Sequence, residues 1–222
     1  VHPYSHRLGV IRDWKSRWIA RDKGYRTALK VDLIVREFLT KELRSFYLSD
    51  IQIERKKEAL RIVIRSSRPG TITDRSGDGI TKLRDKILAV RKRRGVDLAG
   101  QELKLDIEEV RSPESNAAIV AMMVAEGLEK RLPFRRVLKQ TLEKVIASKE
   151  VKGAKIKLSG RLGGAEMARR EDLKKGQIPL QTLRADIDFA REKAHMTYGD
   201  IGIKVWIYKG QIFERDLKNI KN

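Results

Sequence analysis

The chain has 222 residues, 41% hydrophobic and 36% charged, with 50 Lys+Arg against 30 Asp+Glu and no cysteine. That length holds one large or two small domains with a real core, and the composition excludes wholesale disorder. A net charge of +20 points to a polyanionic partner, while zero cysteines exclude disulfides, zinc knuckles, iron–sulfur clusters and thiol catalysis.

In chain order, residues 1–26 are basic and aromatic ("WKSRWIARDKGYR") and read as an extension. Its Tyr4, Trp14 and Trp18 are open to base stacking or to packing on their own domain. The opening "VHPYSHRLGV" is not a signal peptide. From Thr27, the spacing of Ala28, Val31, Ile34, Val35, Phe38, Leu39 and Leu43 predicts an amphipathic helix. Alternation predicts strands over 51–55 and 60–67. The stretch "SSRPGTITDRSGDGITKLRDK" (66–86) then joins a turn to a second helix, marked by Ile80, Leu83, Ile87 and Val90 and ending in "RKRRG". A strand at 103–110 closes the first half.

A Pro-bearing break at 111–115 marks the boundary, giving an extension of 1–26, one domain over 27–110 and another over 111–222. Helices are predicted over 114–131, with Ser112 as a cap, and over 133–148, with Pro133 in its first turn. Three alternating strands follow, "AKIKLSG", "LRADIDFARE" and "IGIKVWIYKG", with a glycine-rich basic segment between the first two. Both halves are α+β, the second carrying two helices on an antiparallel sheet. No apolar run approaches the ~18 residues of a membrane span, so no membrane association is expected.

Little in the sequence suggests catalysis. Asp186 and Asp188 share one face of a strand, as metal-binding carboxylates of a nuclease would. The blander reading is that they are solvated and pair with nearby cations. His2, His6 and His195 are too scattered for a metal cluster. No Walker loop, GxGxxG or Ser/His/Asp arrangement occurs, so no enzyme, no cofactor and no metal is expected.

Cations carry more signal. Arg135, Arg136 and Lys139 share an arc of about 100° on the predicted helix, opposite Phe134, Val137, Leu138, Leu142 and Val145. With Lys130 and Arg131 they gather at one helix–helix corner, either a solvated face or an RNA contact. In "SGRLGGAEMARRE", Gly160, Gly163 and Gly164 sit among Arg161, Arg169 and Arg170. Those glycines serve a tight turn or let RNA approach the backbone closely.

The order helix–strand–strand–helix–helix–strand resembles a type II KH domain, which grips single-stranded nucleic acid by a GxxG loop. "VHPYSHRLGVIRDW", "VREFLTKEL", "SGRLGGAEMARRE", "LQTLRADIDFA" and "TYGDIGIKVWIYKG" extend the likeness over nearly the whole chain. It resembles the bacterial small-subunit ribosomal protein S three family, whose members normally begin a few residues earlier and often end in a longer basic tail. The resemblance implies a cytoplasmic, ribosome-bound protein in the small-subunit head. Its partners would be 16S-type ribosomal RNA, mRNA and proteins S ten and S fourteen, with S four and S five where mRNA enters. It also implies that Lys130, Arg131, Arg135, Arg136 and Lys139 line that channel and assist passage of structured mRNA. Lys130 stands where arginine is commoner. Arg161, Arg169 and Arg170 are candidates for ribosomal RNA.

Where the family usually reads G-K-K-G, this chain has Asp74-Arg75-Ser76-Gly77. A carboxylate there repels phosphate, and losing the glycine removes a residue free to take positive φ. The expectation is a KH fold with a weakened loop. A free-standing KH regulator is the alternative, and Asp74 speaks against it.

Overall fold

The computed structural model describes residues 2–56, 59–73, 78–95 and 102–213. Its elements are α1 (Pro3–Arg7), β1 (Ser16–Arg17), α2 (Asp22–Glu42), β2 (Leu48–Arg55), β3 (Ala59–Ser66), α3 (Pro69–Thr73), α4 (Asp78–Arg93) and β4 (Glu102–Glu109). They continue with α5 (Ala117–Glu129), α6 (Phe134–Ala147), β5 (Gly153–Gly160), β6 (Arg169–Gly176), β7 (Ala185–Met196) and β8 (Gly199–Gln211). Contacts divide the chain into Trp14–Arg111 and a two-segment unit of Val1–Asp13 with Ser112–Asn222. The division falls inside the stretch read as a single extension. None of the described helices is long and apolar enough to cross a membrane.

In Trp14–Arg111 the run from α2 to β4 has the expected helix–strand–strand–helix–helix–strand order. Its sheet is ordered β1-β2-β3-β4, with β2 antiparallel and β4 parallel to β3. On β3 Leu60, Ile62 and Ile64 are buried as the alternation predicts, though Val63 between them is buried too; Ala28, Val31, Val35 and Leu39 on α2 and Leu83 and Ile87 on α4 are also buried. Burying each such aliphatic side chain stabilises by roughly 1.5–3 kcal/mol.

Residues 14–18 belong to this unit because α2 holds them. Arg36 donates to the Lys15 carbonyl at 3.0 Å and to Ser16 Oγ at 2.8 Å. The Trp18 indole N–H donates to buried Asp32 at 2.7 Å, and Arg55 pairs with the same carboxylate at 2.8 Å. Trp18 therefore packs on its own domain.

The two-segment unit has an antiparallel sheet ordered β6-β5-β8-β7, with α5 and α6 on one face. Three strands were expected and four are present. The addition, β6, pairs along its length with β5. Its sequence, "RREDLKKG", is exposed and almost without apolar residues. It is an edge strand held by backbone hydrogen bonds, which leaves no hydrophobic alternation to read. Helix starts also shift. Asn116, not Ser112, caps α5 by accepting from the N–H groups of Ala118 and Ile119, and Pro133 stands just before α6 rather than inside it.

The first segment is clamped to this unit by Arg7, which is fully buried. Its guanidinium donates to the carbonyls of Ala185 (2.7 Å), Thr182 (2.8 Å), Leu180 (2.9 Å) and Pro3 (3.1 Å). A fork of fixed donors thus fastens the chain start to the segment leading into β7.

Candidate nucleic-acid interface

The α5–α6 corner is built from the end of an apolar helix. Ala117, Val120, Ala121, Val124 and Leu128 bury α5 against the sheet and α6. A Cβ on Gly127 would meet Val137 Cγ1 at 3.1 Å, so a glycine there allows the two helices their close approach. Arg131 N–H then donates to the Leu128 carbonyl and Leu132 N–H to that of Gly127, at 2.8 and 3.2 Å. Those two bonds form a Schellman stop, which puts Arg131 in the left-handed region at φ 59°. Pro133 follows, and α6 begins with Arg135 and Arg136 facing solvent and Val137 and Leu138 facing the core.

All five predicted channel cations are exposed around this corner. Lys130 pairs with Glu126 at 2.6 Å, and Arg135 with Glu171 at 3.5 Å. Arg131, Arg136 and Lys139 have no ion-pair partner among the described residues. Beside Arg135 and Lys139, a groove of about 430 Å³ runs between α6 and β6 over Leu138, Leu142 and Leu173.

Two of the predicted ribosomal RNA candidates lie near the same corner. The Arg169 guanidinium sits over the Phe134 ring at 5.5 Å and pairs with Glu171 at 3.6 Å, so it shares both neighbours with Arg135. Arg161 lines a hollow with Arg131, Phe134 and Tyr198, and its Nε donates to the Ala165 carbonyl at 2.9 Å. Gly163 and Gly164 take φ of 68° and 79° in that turn, so a turn requirement explains both. Arg170 sits apart, on the opposite face of β6. The KH loop, Asp74, Arg75, Ser76 and Gly77, lies outside the described residues. Beside it, a Cβ on Gly79 would fall 2.2 Å from the Ile72 carbonyl oxygen, a close α3–α4 contact that the sequence did not disclose.

The reading of Asp186 and Asp188 as solvated is corrected. Asp188 is 6% exposed. It accepts from the Tyr4 hydroxyl and from the Ala117 N–H, the latter at 2.7 Å. Arg12 pairs with Asp186 at 2.7 Å and reaches Asp188 at 3.8 Å. Asp188 stands opposite Ile207, on the helix-facing side of the sheet with Ala190 and Ala194, where it anchors α5 and the first segment. Burial, then the Asp188 charge, push the Tyr4 phenol well above its ordinary pKa. Among the described residues no cluster of His, Asp and Glu could hold a metal.

A KH fold joined to a second α+β unit, each with exposed cations, defines a two-domain RNA-binding protein. The KH domain profile matches residues 34–115 and that of the ribosomal protein S3 C-terminal domain matches 124–207. The chain is 43% identical over 212 residues to the small ribosomal subunit protein uS3 of Caldicellulosiruptor saccharolyticus. It is 44% identical over 212 residues to that of Caldicellulosiruptor bescii, and each alignment covers 96% of this chain and 92% of the relative. The chain belongs to the ribosomal protein uS3 family. As a member it is a ribosomal RNA-binding protein and not an enzyme.

Proposed function

We propose that this chain sits in the head of the small ribosomal subunit in the cytoplasm, bound to 16S-type ribosomal RNA. There it lines the channel through which mRNA enters. Residues 27–110 act as the KH module and 111–222 as the second domain. Lys130, Arg131, Arg135, Arg136 and Lys139 face the message, while Arg161, Arg169 and Arg170 hold ribosomal RNA. Proteins S ten and S fourteen are neighbours, and S four and S five complete the channel.

The observation that carries this reading is the α5–α6 corner. Three of its cations have no carboxylate partner among the described residues, so their charge is available to phosphates. Arginine forks grip phosphate bidentately, whereas lysine acts as a point charge that a sliding strand can pass. The sequence contains no Walker loop, so the corner opens mRNA structure passively, by holding strands that ribosome movement separates. The KH loop contributes little grip of its own because Asp74 opposes phosphate.

The test replaces Arg135, Arg136 and Lys139 by alanine. The variant should co-sediment with small subunits at salt that strips loosely held basic proteins, yet translate hairpin-containing messages more slowly than unstructured ones. Equal rates on both messages would remove the channel assignment. A wild-type chain that migrates free of the subunit would revive the free-standing regulator.

A further inference from the structure

The helix-free face of the β6-β5-β8-β7 sheet carries an arrangement that folding alone does not explain. Alternation sends Ala154, Ile156 and Leu158 toward the helices, which leaves Lys155, Lys157 and Ser159 on the other side of β5. There Lys157 stands directly opposite Lys204, and Lys204 directly opposite Arg191. One row across three adjacent strands is therefore Lys157–Lys204–Arg191, spanning roughly 10 Å at the usual strand spacing. In the next row Lys155 faces Lys174. Like charges directly opposite one another destabilise a sheet.

Few carboxylates relieve this face. Asp172 pairs with Lys155 at 2.8 Å, and Asp200 lies at the far end against His195 and Lys193. Asp172 also stands directly opposite Lys157 on β6 and feels its charge, whereas Lys204, Arg191 and Lys174 have no ion-pair partner among the described residues. Beside the cations, Trp206 is half-buried between Lys155 and Phe189, whose ring centroid is 5.2 Å from its own. The third row has small residues at its centre, Ser159 opposite Gly202, flanked by Arg170 on β6 and Lys193 on β7.

We infer that this open sheet face is a second RNA-binding surface, in which the Lys157–Lys204–Arg191 row takes successive phosphates and Trp206 receives a base. It rests on the reading of the chain as an RNA-binding ribosomal protein, but it uses none of the α5–α6 corner cations. Charge complementarity identifies the occupant as a polyanion, and a half-exposed indole beside lysines favours nucleic acid over an acidic peptide. Bound phosphates neutralise the opposed cations, so the face is relaxed only when occupied.

The experiment uses the full chain. Affinity for a short fluorescein-labelled oligouridylate is measured against salt for wild type, for Lys157→Gln/Arg191→Gln/Lys204→Gln and for a charge-matched control, Lys23→Gln/Arg26→Gln/Lys30→Gln on α2. Losing three phosphate contacts should make the log–log salt slope shallower by about 2 in the sheet variant, and by much less in the control. The sheet variant should melt no lower than wild type, because the opposed charges are gone. Separately, unlabelled oligouridylate should quench tryptophan emission more strongly in wild type than in Trp206→Phe, while polyglutamate quenches neither; this reading requires no charge variant to fold. Equal slopes for sheet and control variants, or quenching as strong in Trp206→Phe as in wild type, would overturn the inference while leaving the ribosomal reading intact. A sheet variant that binds oligouridylate normally but fails to join small subunits would assign the face to a protein instead. Failure of the wild-type chain to bind RNA at all would bring down the ribosomal reading itself.

Discussion

Replacing Arg131 by glycine should stabilise the protein while impairing it. Arg131 holds φ 59° in the Schellman stop that ends α5. An L-residue in that conformation costs roughly 1–2 kcal/mol, which glycine avoids. Glycine in turn gives back about 0.4–1 kcal/mol through its greater freedom in the unfolded chain. The net gain is about 0.5–1 kcal/mol, or a rise in Tm of roughly 1–4 °C. Thermal melts of the full chain followed by circular dichroism measure it, with Arg131→Ala as companion. Alanine keeps the left-handed cost but removes the charge, so its Tm should stay near that of wild type. If alanine raises Tm as much as glycine, relief of charge repulsion in a +20 chain is the cause, and the backbone argument is refuted. The glycine variant should still lose grip on structured mRNA.

Two further outcomes follow from the buried contacts of the first segment. Arg7→Met leaves the carbonyls of Ala185, Thr182 and Leu180 without their donor, which should cost about 3–5 kcal/mol in urea unfolding and raise hydrogen exchange over 180–188; unchanged exchange there would argue against the clamp. Tyr4 holds its proton in the fold while the unfolded phenol ionises near 10.0, so stability falls as pH rises above that value. Tyr4→Phe should flatten that alkaline loss, read from urea midpoints between neutral and alkaline pH.

The KH order was legible because its elements bury regularly spaced residues, although α2 starts at Asp22 rather than Thr27 and Val63 on β3 is buried as well. Three features were hidden for physical reasons. Strand β6 is held by backbone pairing at a sheet edge, which leaves no trace in side-chain polarity. Asp188 was read as solvated and Arg7 was not singled out at all, because both are buried polar groups whose partners lie far along the chain. The corner cations were visible as a helical arc. The opposed cations of the sheet face were not, because their proximity depends on cross-strand register rather than on spacing along one strand.

The clamp at Arg7 also sets an order of events during synthesis. Its Ala185 partner lies 178 residues downstream. At about 5–20 residues per second, the ribosome making this chain needs roughly 10–35 s to supply that partner. For that interval the first segment has emerged with Arg7 unanchored, while Trp14–Arg111 has already become long enough to fold behind it. The two-segment unit thus closes only once β7 has been made, and its closure joins residues 1–13 to a strand synthesised long after them. Truncated products that stop before β7 lack Ala185 and Asp188, and so leave the first segment open to proteases and chaperones.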